Sequence, residues 1–170
     1  MHFEPEQTDK KFRKRLTPAQ ALAKIMRYCA YQERSHREVR NKLFEYGLFA
    51  SEVDELITQL ITQGFLNEER FAKAYAGGKF RMKQWGRVKI RHELQAQGLT
   101  INCIQRGLNE IDPADYRKTL LKLLKKKFTE VKEPNNFKKK DKIARFAIGK
   151  GYEPDLVWEY LKDLFDVGTL

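Results

Sequence analysis

Apolar residues recur along most of the chain at intervals of three and four positions, the period of amphipathic α-helices. When the chain is aligned on Gly47, Gly98 and Gly151, the flanking apolar positions coincide in three successive segments. Each glycine follows a helical pattern, where a helix end commonly requires a left-handed residue. The positions that share an offset are Val39, Ile90 and Ile143; Leu43, Leu94 and Ala147; Leu48, Leu99 and Tyr152; Val53, Ile104 and Val157; Ile57, Leu108 and Leu161; and Leu60, Ile111 and Leu164.

A further amphipathic stretch precedes each of these helix pairs. Its start is marked by Thr17-Pro18 in the first segment, by Asn67 in the second and by Asp112-Pro113 in the third. Asn, Asp and Thr are favoured N-caps, and proline is favoured at the first helical position. The predicted apolar stripes are Leu22, Ile25, Met26 and Cys29; Phe71, Tyr75 and Met82; and Tyr116, Leu120, Leu123, Leu124 and Phe128.

The repeat predicts an all-α fold, a tandem repeat of three three-helix units forming an elongated, curved molecule. The expected organisation is a flexible N-terminal tail, 1–16, followed by helical repeats 17–66, 67–112 and 113–170. No alternating β-branched run predicts a strand. Within the third repeat, Pro134 and two asparagines predict an irregular segment over 129–136.

Composition narrows the class of protein. The chain has 170 residues, of which 41% are hydrophobic, enough for one domain or one repeat array. It has no apolar run of the roughly 18 residues that a membrane span needs, and its first ten residues do not resemble a signal peptide. We therefore expect a cytoplasmic protein with no membrane partner. Cys29 and Cys103 lie inside apolar patterns, and we interpret both as buried thiols.

Charge is distributed unevenly. The net charge of the chain is +11. Residues 17–66 have a net charge of zero, whereas residues 67–112 have a net charge of +4 and residues 113–170 one of +5. Such a field attracts polyanions or acidic protein surfaces. The first basic concentration comprises Lys79, Arg81, Lys83, Arg87, Lys89 and Arg91; the second comprises Lys122, Lys125, Lys126, Lys127, Lys138, Lys139, Lys140, Lys142 and Arg145. Either concentration is a binding surface or a solvated face.

Helical spacing makes the first concentration more specific. If Ile90 and Leu94 face inward, Arg87 and Arg91 lie together on one exposed flank, where we expect charge reversal to leave the fold intact. Trp85 lies at the junction of two helices. It is interpreted either as a corner anchor or as part of a binding surface.

The segment from Phe65 to Leu99 resembles the signature of the RecX family, regulators of the RecA recombinase. The resemblance covers about residues 17–112 well and the remainder loosely. It departs from many relatives at two places: Gln84-Trp85-Gly86-Arg87 replaces a Gly-x-Gly-Pro turn, and Gly77-Gly78 replaces larger residues. The matching residues are Arg70, Phe71, Ala72, Tyr75, Lys79, Arg81, Lys89, Ile90, Arg91, Glu93, Leu94 and Gly98 in the second repeat, and Ser35, Glu38, Arg40, Leu43 and Gly47 in the first.

The resemblance implies a non-enzymatic modulator, mainly an inhibitor, that binds the RecA nucleoprotein filament. Regulation would extend to its ATPase, strand exchange, coprotease, DNA repair and SOS activities. We expect a monomer with no cofactor, catalytic residue or metal site; RecA monomer and single- or double-stranded DNA are further candidate partners. The candidate recombinase- or DNA-binding surface comprises Arg70, Lys79, Arg81, Lys83, Trp85, Arg87, Lys89, Arg91, Lys125, Lys126, Lys138, Lys139, Lys140, Lys142 and Arg145.

An autonomous helix-turn-helix-like DNA-binding protein is the alternative. Its recognition helices would follow the glycines, yet residues 50–63 contain Glu52, Asp54 and Glu55 and no Lys or Arg. Enzyme classes have less support. The three histidines have no partner at a metal-ligand or triad spacing, and no nucleotide-binding P-loop motif is present.

Overall fold

The computed structural model describes residues 14–167. This range contains nine α-helices and no strand, which confirms the all-α prediction. The helices are α1 Pro18–Tyr31, α2 His36–Glu45, α3 Ala50–Thr62, α4 Glu68–Lys83, α5 Arg87–Ala96, α6 Ile101–Leu108, α7 Pro113–Glu130, α8 Asn136–Gly149 and α9 Pro154–Val167.

The first helix of each repeat begins where its capping residue predicts. The side chains of Thr17, Asn67 and Asp112 each accept a hydrogen bond from the backbone N–H three residues later. These bonds satisfy amide groups that have no partner inside the helix. Local sequence chemistry therefore fixes the starts of α1, α4 and α7.

The apolar frame shared by the three repeats forms the core. All of its positions are buried except Leu164, which is half-buried. Gly47, Gly98 and Gly151 have φ values of +85°, +81° and +99°, as the predicted left-handed helix stops require. At the second stop, the amide of Leu99 donates to the carbonyl of Leu94 at 3.3 Å, which closes the end of α5.

The structure corrects three local predictions. Cys103, which was expected to be a buried thiol, is only half-buried. Met82 is 82% exposed and does not belong to the inward face of α4. The buried residues of α4 are Phe71, Ala72, Ala76, Gly77 and Phe80. The small residues among them let a neighbouring helix backbone approach closely. The irregular segment is also shorter than 129–136, since α7 continues through Glu130 and α8 begins at Asn136.

The chain divides into two compact units, the second of which begins at Asn67. In the first unit, α1, α2 and α3 surround one core that includes Ile25, Leu43 and Leu60. In the second unit, α4 to α9 share one continuous core that extends from Phe71 to Leu161. The second and third repeats are thus packed as a single body.

Most of the predicted tail, 1–16, lies outside the described residues. Its last two residues contact the first unit. The amide of Leu16 donates to the Tyr46 carbonyl at 2.9 Å, and the Arg15 guanidinium bonds to the Gly47 carbonyl and to Glu52. Arg15 and Leu16 therefore belong to the first unit.

The closest helix packing in the second unit joins α4 to α6. Gly107 lies in α6 against the backbone of Ala72, so that a Cβ at Gly107 would be only 2.7 Å from the Ala72 carbonyl oxygen. The close contact between Gly107 and Ala72 holds α4 against α6, the helices that precede and follow α5 in the chain. It thereby positions the arginines of α5 relative to α6.

Candidate interaction surface

The corner between α4 and α5 is held against the turn between α8 and α9. Gly86 donates its amide to the Lys150 carbonyl at 2.8 Å, and Val88 donates to the Gly151 carbonyl at 2.9 Å. The Tyr152 hydroxyl donates to the Gln84 carbonyl at 3.0 Å. A side chain at Gly86 would overlap the Gly151 backbone, so glycine is required here for close approach.

Trp85 occupies this corner and contacts the core of the second unit, as its interpretation as a corner anchor requires. Two candidate lysines lie against its ring: the Lys79 ammonium is 5.0 Å and the Lys89 ammonium 4.4 Å from the ring centre. Lys79 is also 5.3 Å from the Tyr75 ring. Both lysines are half-buried, and cation–π attraction orients their charges.

Arg87 is part of a half-buried network, which corrects its prediction as a freely solvated flank residue. Its amide donates to the Tyr116 hydroxyl at 3.0 Å, and that hydroxyl donates to Glu153 at 2.6 Å. The Arg87 guanidinium lies 3.9 Å from the Tyr116 ring centre and 3.5 Å from the Glu153 carboxylate. Burial, with the bond to Glu153, raises the pKa of Tyr116 well above its usual range.

The other candidate cations of the second repeat are exposed. Arg91 follows Arg87 by one helical turn and is exposed, so only one member of the predicted arginine flank faces solvent freely. Arg81 and Lys83 are exposed in the last turn of α4, where positive charge also complements the helix dipole. Arg70 is exposed in the first turn of that helix.

The second basic concentration lies on α7 and α8. Lys125 and Lys126 are exposed on α7, and Lys126 is 3.9 Å from Glu130. On α8, Lys142 pairs with Glu133 and Arg145 with Asp141, each at 3.0 Å.

Two α8 lysines lie on aromatic rings. The Lys139 ammonium is 3.9 Å from the centre of the Phe128 ring, and that of Lys140 is 5.3 Å from the centre of the Phe165 ring. Within the described part of the chain, the exposed side chains of Lys125 and Lys138 have no ion-pair or aromatic partner. They are the most available cations of this group.

Sequence reasoning missed two residues of the α8–α9 turn that contact the α4–α5 corner. Lys150 donates its ammonium to the Lys83 carbonyl at 3.0 Å and so adds a cation beside this corner. Glu153 is the acidic partner of Arg87. The glycine alignment gave an indirect signal, because it placed both residues beside the third helix stop, but it did not show what that turn contacts.

The described residues contain neither a metal site nor a membrane-spanning helix. Across residues 14–167, no three His, Cys, Asp or Glu side chains are arranged to hold a metal ion. In the same range, no helix has the length and apolar character needed to cross a bilayer.

Comparison with protein families identifies each helical repeat. The first, second and third three-helix domains of RecX match residues 21–60, 67–108 and 115–161, respectively. The chain belongs to the RecX family. A RecX regulatory protein of Clostridium perfringens strain 13 is 32% identical over 124 residues, which are 72% of this chain and 58% of the relative. The chain thus spans less than two thirds of that relative's length.

Other RecX proteins match over more of their length. The Pasteurella multocida regulatory protein RecX is 29% identical over 83% of this chain and 85% of its own. The crystal structure of RecX from Lactobacillus salivarius has a TM-score of 0.78 at 20% identity, covering 86% of this chain and 96% of that one. A second RecX crystal structure has a TM-score of 0.77 at 23% identity and covers 86% of this chain and 73% of that one. The all-helical fold is therefore that of solved RecX structures.

Proposed function

We propose that this chain is a non-enzymatic regulator, mainly an inhibitor, of the RecA recombinase. It binds the RecA nucleoprotein filament and acts on its ATPase, strand exchange and the DNA repair and SOS activities that depend on the filament. RecA monomer is a second form of the same partner. The observation that carries the proposal is the succession of three RecX domains over residues 21–161.

Exposed positive charge supports this proposal. Arg81, Lys83 and Arg91 in the second repeat and Lys125 and Lys138 in the third offer cations to an acidic protein surface. Charge complementarity of this kind speeds encounter and selects the partner. A regulator that binds one state of the filament more tightly shifts the filament towards that state, so inhibition requires no active site.

The second candidate function, autonomous DNA binding, is favoured by the helix, glycine stop, helix arrangement and the basic charge. The would-be recognition helix of the first repeat argues against it. Glu52 pairs with Arg15 and Asp54 pairs with Arg40 at 2.8 Å, and no cation occurs within α3. A helix with this charge repels phosphates.

The proposal is tested by titrating the protein into a RecA ATPase assay on single-stranded DNA, beside a gel shift without RecA. We expect inhibition at concentrations that leave bare DNA unshifted. A protein that shifts bare DNA but neither binds RecA nor changes its ATPase would refute the proposal and favour the alternative.

A pair of charge reversals tests whether the free cations of the third repeat contribute. Lys125→Glu with Lys138→Glu should raise the half-inhibitory concentration about tenfold, which corresponds to about 1.4 kcal/mol. The matched control is Arg27→Glu with Lys118→Glu, which makes the same charge change at exposed residues outside the candidate surface. Equal effects of the two pairs would show that only net charge matters.

A further inference from the structure

A small pocket in the second unit is lined by charged residues, by the amides Gln105 and Asn109 and by apolar residues. It has a volume of about 260 Å3 and is formed by α5, α6, the start of α7 and the turn before α9. Arg87 and Arg91 supply its cations, and Leu108, Ile111 and Pro113 supply its apolar part. Glu153 is the one carboxylate among its lining residues. A cavity of this size accommodates one or two side chains.

The two arginines differ in their availability. Arg87 is held by the Tyr116 ring and by Glu153, which itself accepts a shorter bond from the Tyr116 hydroxyl. Arg91 is exposed and has no ion-pair partner among the residues that the structure describes. The pocket therefore has a net charge of about +1, with one guanidinium unpaired. A guanidinium presents parallel N–H groups that match a carboxylate.

We propose that this pocket receives the carboxylate of an Asp or Glu side chain of the recombinase; the inference rests on the proposed function. Arg91 pairs with the incoming carboxylate. Pro113, with the small exposed parts of Leu108 and Ile111, contacts the methylene groups of that side chain.

The charge of the pocket favours a carboxylate over a phosphate. A single negative charge balances the unpaired Arg91. A nucleic-acid strand instead brings a negative charge at every phosphate, and a pocket of net charge about +1 that includes the Glu153 carboxylate balances only one of them. The apolar part of the lining is chiefly Pro113, because Leu108 and Ile111 are each only 4% exposed, and it covers carbon atoms of an acidic side chain.

The test measures the affinity of the full chain for RecA filaments assembled on single-stranded DNA with a slowly hydrolysed ATP analogue. We expect Arg91→Glu to weaken binding at least about tenfold, because reversal places like charges together. Arg91→Lys should lose less, since an ammonium retains the charge without the fork. Arg27→Glu, an exposed arginine of α1 with no ion pair within residues 14–167, is the matched control and should bind within about twofold of the parent.

Thermal unfolding verifies that the variants are folded. Arg91→Glu should melt within about 2 °C of the parent, because the side chain is exposed. Arg87 is unsuitable for this purpose, since its replacement removes contacts with Tyr116 and Glu153.

The possible results distinguish a failure of the pocket inference from a failure of the proposed function. If the parent fails to bind the filament, the proposed function is wrong and the pocket loses its partner. If the parent binds and Arg91→Glu binds as well as Arg27→Glu, the pocket inference is wrong while the proposed function stands. If Arg91→Glu weakens binding to bare single-stranded DNA as much as to the filament, the pocket takes a phosphate and the inference is again overturned.

Discussion

Replacing Gly107 by alanine should destabilise the second unit although it improves helix propensity. In a helix interior, alanine is favoured over glycine by about 1 kcal/mol. The added Cβ, however, would lie 2.7 Å from the carbonyl oxygen and 2.8 Å from the carbonyl carbon of Ala72. Because these are backbone atoms, α4 and α6 must move apart. Overpacking of a tight core contact costs about 1–3 kcal/mol, and a contact with rigid backbone at this distance belongs at the upper end, about 3 kcal/mol. After the propensity gain of about 1 kcal/mol, we expect a net loss of about 2 kcal/mol.

The loss is measured by urea and thermal unfolding followed by far-ultraviolet circular dichroism. For a unit of about 100 residues, 2 kcal/mol lowers the melting temperature by roughly 8 °C. Gly78→Ala is the matched control, because Gly78 lies inside α4 with nothing within 4 Å of an added Cβ. This control should gain up to about 1 kcal/mol. A Gly107→Ala protein as stable as the parent would refute the reasoning from close helix approach.

Three further predictions concern single side chains. Tyr116→Phe removes a buried hydroxyl that has two half-buried partners and should cost about 1–3 kcal/mol in urea unfolding; unchanged stability would contradict the network. Burial raises the pKa of the Cys29 thiol to about 11, so at pH 8 a disulfide reagent should modify the half-buried Cys103 first, and equal rates would argue against this burial. The hydrogen bond from the Arg106 guanidinium lowers the pKa of Glu69, so the ionised carboxylate stabilises the fold above the unfolded pKa of about 4.3. This stabilisation is lost as the pH falls through the lowered pKa of the folded state. The melting temperature of Glu69→Gln should therefore fall less than that of the parent between pH 5 and pH 3.

Much of the fold could be predicted because its determinants are local. The caps at Thr17, Asn67 and Asp112 and the glycine stops act within a few residues of the helix ends that they define. Periodicity identified the core positions because each helix buries one face. The prediction for Met82 was wrong because the inward face of α4 is formed partly by small residues such as Ala76, which a search for large apolar residues overlooks.

The candidate surface could be predicted only as a set of cations. Sequence spacing put Arg87 and Arg91 on one flank, but it could not show that Arg87 meets Tyr116 and Glu153, which lie 29 and 66 residues further along the chain. Such contacts depend on how the second and third repeats pack. Which cations remain free is therefore a property of the tertiary structure.

The common core of the second and third repeats limits how this chain can be truncated or recombined with a relative. A break after residue 112 would remove the partners of Gly86 and Gln84 and expose the apolar faces of α4 and α5. Exchange of the third repeat for that of a relative must preserve the fit between Gly86 and Gly151. The chain is therefore best divided between Leu66 and Asn67, with the last two repeats kept together.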